Sequence, residues 1–176
     1  EKALIPIEKS KYRVVENINK FFDDAMSADE KILFIGEDLL SPYGGAFKVS
    51  QNLSEKYPNQ VITTPISELG ITGLANGLAI GGQKPFLEIM FGDFMSLCFD
   101  QIINTASKVY HMYNKKVSCP VVIRAPMGGG RGYGPTHSQT LDKFFAGIDN
   151  VRLLALNSFF EPGSEVGHGS SAFQRR

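Results

Sequence analysis

Residues 61–90 read VITTPISELGITGLANGLAIGGQKPFLEIM. Val61 to Thr63 is a short β-branched run that predicts a buried strand, and Phe86 to Met90 is a second. Between them, Ser67 to Gly82 predicts a helix rich in glycine and alanine. Small residues let its backbone approach a neighbour closely, which places it deep in the core. Buried strands separated by a helix predict a parallel sheet covered on both faces.

The same alternation extends outward. Ile32 to Ile35 predicts a buried strand whose carboxyl end carries Gly36-Glu37-Asp38. Before it, Val14, Val15, Ile18, Phe21, Phe22, Ala25 and Met26 recur at helical spacing, with Ser10 as a cap. Ser41-Pro42-Tyr43-Gly44-Gly45 is a loop, and Phe47 to Tyr57 predicts a helix. Ser96 to Tyr113 predicts a long helix with Leu97, Phe99, Ile102, Ile103, Ala106 and Tyr110 on one face. Pro120 introduces a strand at Val121 to Arg124, followed by a glycine-rich loop from Met127 to His137. A short helix at Leu141 to Ala146 and a fifth strand at Val151 to Ala155 complete the pattern. The predicted class is α/β: a three-layer α/β/α domain with a mainly parallel sheet over residues 1–166. Gly167-His168-Gly169-Ser170-Ser171 opens a tail, 167–176, expected to be flexible or an added remnant.

Composition narrows the function classes. Eighteen basic residues balance eighteen acidic ones, so no basic excess is available to neutralise nucleic-acid phosphates. No apolar run approaches the roughly 20 residues that span a bilayer, and no basic amphipathic stretch suggests a membrane surface. The charged first residues lead straight into an amphipathic segment, so no signal peptide is expected. Cys98 and Cys119 lack CxxC spacing; two reduced, structural thiols are expected and no metal site.

Sites in open parallel sheets lie at the carboxyl ends of strands. Glu37, Glu68, Phe94 and His137 all fall just after predicted strands or at helix starts. Glu68 has two readings. It is either a capping acid that satisfies free amides at the helix start, or a buried carboxylate of raised pKa held for proton exchange. Phe91 and Phe94 read first as core residues, although a ring ligand could stack on Phe94. His137 stands in Thr-His-Ser-Gln with no partner order typical of a hydrolase and no metal-ligand spacing. The loop MGGGRGYGP (127–135) lacks the Gly-Lys-Ser/Thr ending of a P-loop. It also fails the GxGxxG spacing, because Tyr133 and Pro135 stand where glycines are required. A loop that shapes a site is the better reading.

GEDLLSPYGGAFKVSQNL, TPISELGITGLANGLAIGG, FDQIINTASK, VVIRAP and THSQ occur in this order. Together, over about residues 10–156, they resemble the beta subunits of thiamine-diphosphate-dependent 2-oxo acid dehydrogenases acting on pyruvate, branched-chain 2-oxo acids or acetoin. Transketolase and deoxyxylulose-phosphate synthase share the glutamate but look less similar around GGAFKVS and THSQ. The resemblance implies a transketolase-like pyrimidine-binding domain. Glu68 matches the glutamate that hydrogen-bonds the aminopyrimidine and promotes loss of the thiazolium proton, with the cofactor as electron sink for decarboxylation. Phe94 matches the residue stacking on the pyrimidine, Ile66 a residue lining its pocket, and Glu37 an acid in a polar tunnel between paired sites. His137 matches a histidine that orients substrate and assists acyl transfer to lipoyl.

The same resemblance implies an alpha-subunit partner that holds the diphosphate and its magnesium, since no Gly-Asp-Gly…Asn-Asn motif is present. It further implies self-association in a heterotetramer and a lipoyl-bearing acyltransferase. The expected compartment is cytoplasmic, with a mitochondrial matrix or plastid as the alternative. Two departures stand out: the family's second, carboxyl-terminal domain is not in this chain, and Leu156 occupies a place where proline is usual. A truncated, non-catalytic assembly module therefore remains the competing reading. A nucleotide-binding regulatory domain rests on fold analogy alone.

Overall fold

The computed structural model describes residues 13–156 and 161–169. Helix α1 (Val14–Ala28) leads into strand β1 (Ile32–Gly36). A short helix α2 (Leu53–Lys56) precedes β2 (Val61–Thr63). Helix α3 (Glu68–Ile80) connects to β3 (Lys84–Glu88), and β4 (Val122–Arg124) follows two irregular turns and the short helix α4 (Val109–Met112). The four strands are parallel in the order β2-β1-β3-β4. Helix α5 (Pro162–Gly169) closes the described chain.

Strand alternation divides the core into two layers. Leu33, Ile35, Leu87 and Ile89 face one way and pack with Ile71 and Ala75 of α3. Phe34 and Phe86 face the other way and pack with Ile18, Phe22 and Met26, spaced four apart on α1. Phe22 stacks on Phe34 at 4.2 Å and meets Phe86 edge-on at 5.2 Å. Helix α5 lies on the α1 side, where the Gly163 amide donates to Asn17 Oδ1 at 2.5 Å and Val166 packs beside the same cluster. The expected three-layer α/β/α architecture with a parallel sheet is the architecture observed. At Gly36 a Cβ would come within 2.8 Å of the Glu88 carbonyl, so glycine permits β1 and β3 to approach at their carboxyl ends.

Several elements differ from expectation, each for a local reason. The expected helix over Phe47–Tyr57 is confined to α2. Asn19 of α1 donates to the carbonyls of Val49 (2.6 Å) and Gln51 (3.1 Å), and Lys48 and Asn52 adopt positive φ. Those carbonyls are taken from the helical ladder. The long helix expected over Ser96–Tyr113 is instead a 3-10 turn (Gly92–Ser96), a π-helical segment (Gln101–Ala106) and α4. Buried Asn76 of α3 donates to the Gln101 carbonyl at 2.9 Å, and the Ser107 amide reaches back five residues to Ile102. A side chain inserted into a helical ladder displaces its register in this way.

The helix expected near Leu141–Ala146 is a single 3-10 turn, Asp142–Phe144. The fifth strand does not form among the described residues. Residues 151–156 are irregular, and Leu153, Leu154 and Leu156 are 43–44% exposed. Ser10 lies outside the described residues; the first helix begins at Val14, where the Arg13 amide donates to Glu16. Helix α5 runs to Gly169, past the expected domain end at 166, so residues 167–169 are helical; 170–176 lie outside the described residues.

Both cysteines are free thiols. Burial pushes each thiol up to about 11. Because the thiolate is the reactive form, neither is expected to react at pH 8 with a maleimide or aromatic disulfide in the folded chain. Both should react once urea unfolds it. A stoichiometric reaction of native protein within minutes would contradict the packing described.

Candidate functional site

The carboxyl ends of the strands gather the chemistry-bearing side chains. Glu37 follows β1 directly and is buried; its Oε1 accepts from the Ser67 amide at 3.2 Å. Ser67 is the N-cap of α3, and its Oγ accepts from the Gly70 amide at 3.3 Å. Capping is therefore done by Ser67, and Glu68 next to it is 8% exposed. Among the described residues no group donates a hydrogen bond to the Glu68 carboxylate.

Cys98 connects Glu68 to the next segment. Its thiol lies 3.8 Å from the Glu68 carbonyl and 3.7 Å from the Phe94 carbonyl. The Phe94 ring meets the His137 ring edge-on at 5.3 Å, and Phe91 meets His137 at 4.7 Å. His137 Nδ1 is 2.9 Å from Thr136 Oγ1. The glycine-rich loop returns through Gln139, whose amide and side chain both donate to buried Asp93, the latter at 2.8 Å. This clamp brings His137 back over Phe94 although 43 residues separate them.

Glu37, Glu68, Phe94 and His137 thus form one connected group. Ile66 sits on the chain between Glu37's partner Ser67 and β2 but stands 80% exposed. Two features were not singled out from sequence. One is the buried Glu88–Arg124 ion pair at the ends of β3 and β4, over which Gly45 lies at φ +78°. The other is an aromatic wall beside His137: Phe47 and Tyr133 meet Phe91 at 5.5 and 5.4 Å, with the Arg131 guanidinium over both outer rings. A tyrosine and an arginine between glycines carry no periodicity; their residue types were the only signal.

Burial, and then the neighbouring Glu68 charge, raise the Glu37 pKa above the ordinary carboxylate range, against the hydrogen bond from Ser67. In the unfolded chain Glu37 loses its proton first as pH rises. The ionised side chain then disfavours folding, fully so above its folded pKa and not at all below about 4.3. Glu37→Gln is expected to raise the melting temperature at pH 7 and to leave it near wild type below pH 4. A destabilised variant at pH 7 would mean that the Ser67 hydrogen bond requires the charge.

The chain belongs to the family described as transketolase, pyrimidine binding domain, whose model matches residues 10–158. Within that family it is similar to the pyruvate dehydrogenase E1 component subunit beta-1 of Arabidopsis thaliana, mitochondrial, with 38% identity over 143 residues, covering 81% of this chain and 39% of that relative. The Bos taurus mitochondrial subunit beta is 37% identical over 143 residues, covering 81% and 40%. The acetoin:2,6-dichlorophenolindophenol oxidoreductase subunit beta of Cupriavidus necator is 36% identical over 146 residues, covering 78% and 43%. The chain spans about two fifths of the length of these relatives.

Proposed function

We propose that this chain supplies the aminopyrimidine-binding half of a thiamine diphosphate site in the beta subunit of a 2-oxo acid dehydrogenase. One observation carries the reading: a buried Glu68 carboxylate with no donor among the described residues, on a backbone carbonyl that shares the Cys98 thiol with the carbonyl of Phe94. A carboxylate left open in this way fits a ring nitrogen, and the adjacent aromatic fits its face. When bound, thiamine diphosphate provides the carbon nucleophile and electron sink for decarboxylation.

In this reading Glu68 holds the proton shared with the aminopyrimidine nitrogen. Phe94 stacks on the ring, and Ile66 lines the pocket edge once a partner covers it. Glu37 stores a proton beside Glu68. His137 orients the substrate and assists acyl transfer to a lipoyl group of an acyltransferase. An alpha subunit holds the diphosphate and its magnesium and completes a heterotetramer. Two free thiols, Cys98 buried and Cys119 half-buried, suit a reducing compartment, either a bacterial cytoplasm or an organelle matrix.

The test is reconstitution of the full-length beta subunit with its alpha partner, thiamine diphosphate and magnesium. Decarboxylation of a 2-oxo acid with reduction of an artificial acceptor is expected from the assembly, and from neither subunit alone. Turnover by this chain alone, or micromolar magnesium-dependent cofactor binding to it, would overturn the shared-site reading.

A further inference from the structure

Arg131 stands in the glycine-rich loop, half-buried between the rings of Phe47 and Tyr133, at 5.1 and 5.8 Å. Of its five N–H donors, one Nη2 hydrogen reaches the Gly128 carbonyl at 2.8 Å. Its Nε–H is buried and has no acceptor. Among the described residues no carboxylate lies within ion-pair distance of the guanidinium. A desolvated N–H without an acceptor is unfavourable, because its hydrogen bond to water is lost and not replaced. Its planar fork matches a carboxylate or phosphate. Both flanking rings touch Phe91, which meets His137 at 4.7 Å. The half-buried guanidinium therefore stands one aromatic layer from the group assigned to substrate.

We propose that Arg131 is the specificity-determining residue of this site and takes a second anionic group, carboxylate or phosphate, on the acyl part of the 2-oxo acid. The inference rests on the reading of the site given under Proposed function. The leaving carboxylate is a poor partner for Arg131. A cation fixed on it would stabilise the charge that decarboxylation must disperse, and so favour the ground state over the transition state. An anion on the retained acyl chain keeps its charge throughout and is held equally at every stage.

The assembled enzyme would be assayed with 2-oxobutyrate, 2-oxoglutarate and 2-oxo-4-phosphonobutyrate, as wild type, Arg131→Gln and Arg131→Lys. The ratio of kcat/KM for an anionic-chain substrate to that for 2-oxobutyrate is expected to exceed one in wild type. It should fall about tenfold to a hundredfold in Arg131→Gln, the size of one or two hydrogen bonds to a charged group. Partial recovery is expected in Arg131→Lys, and whichever of the two anionic substrates is favoured identifies the anion. A wild-type preference for 2-oxobutyrate, or a ratio unchanged in Arg131→Gln, overturns the proposal, because a merely structural arginine would lower all three substrates together.

Calorimetry with glutarate and with butyrate separates this inference from the functional reading. Glutarate binding that is lost in Arg131→Gln, without turnover of any 2-oxo acid, would leave the anion site standing and reject the dehydrogenase reading. Glutarate binding no tighter than butyrate rejects the anion site.

Discussion

Glu68→Gln, assembled with its alpha partner, is expected to lose turnover by about 100-fold or more while keeping its fold. Proton transfer by a positioned side chain typically contributes about 10²–10⁴-fold, and glutamine cannot hold or release that proton. The fold should survive because the Glu68 carboxylate receives no hydrogen bond from the described residues and the capping bond belongs to Ser67. Only the favourable interaction of an acid with the helix N-terminus is lost, about 0.3–1 kcal/mol. Turnover by initial rates and melting by circular dichroism check the two halves. Near-normal turnover would reduce Glu68 to a helix-end acid.

The largest effect on stability is expected at Phe22. It is fully buried, stacked on Phe34 and edge-on to Phe21 and Phe86, so it joins α1 to the two central strands. Phe22→Ala removes that ring and leaves a cavity that three other aromatic rings cannot easily refill, at a cost of about 3–5 kcal/mol. Domains of this size are stable by about 5–15 kcal/mol, so a large part of the margin would go. Urea denaturation should show a lower midpoint with unchanged slope. A loss under 1 kcal/mol would mean that α1 is not anchored through this ring.

The sheet was legible where apolar runs were short and bracketed. Ile32–Ile35, Val61–Thr63 and Val121–Arg124 formed strands within a residue of expectation, and α3 begins one residue after its cap. What could not be read depended on distant partners. Nothing near Val49 says that Asn19 will take its carbonyl, and nothing near Gln101 announces Asn76. Val151–Ala155 has a strand's composition but, among the described residues, stands outside the four-stranded sheet. The site follows the same division. Glu37, Glu68, Phe94 and His137 were visible as strand-end and helix-start residues and are brought together. The Asp93–Gln139 clamp and the Arg131 wall depend on how a glycine-rich loop folds back, which local pattern does not encode.

Glu68 is expected to govern proton loss from the cofactor, and His137 to act later. Hydrogen–deuterium exchange at the thiazolium carbon of thiamine diphosphate bound to the assembled enzyme tests it most directly, by acid quench and proton NMR. Exchange is expected to slow by about 100-fold in Glu68→Gln and to stay within a fewfold of wild type in His137→Ala even though its overall turnover falls. Wild-type exchange in Glu68→Gln, or equal slowing in both variants, would contradict it.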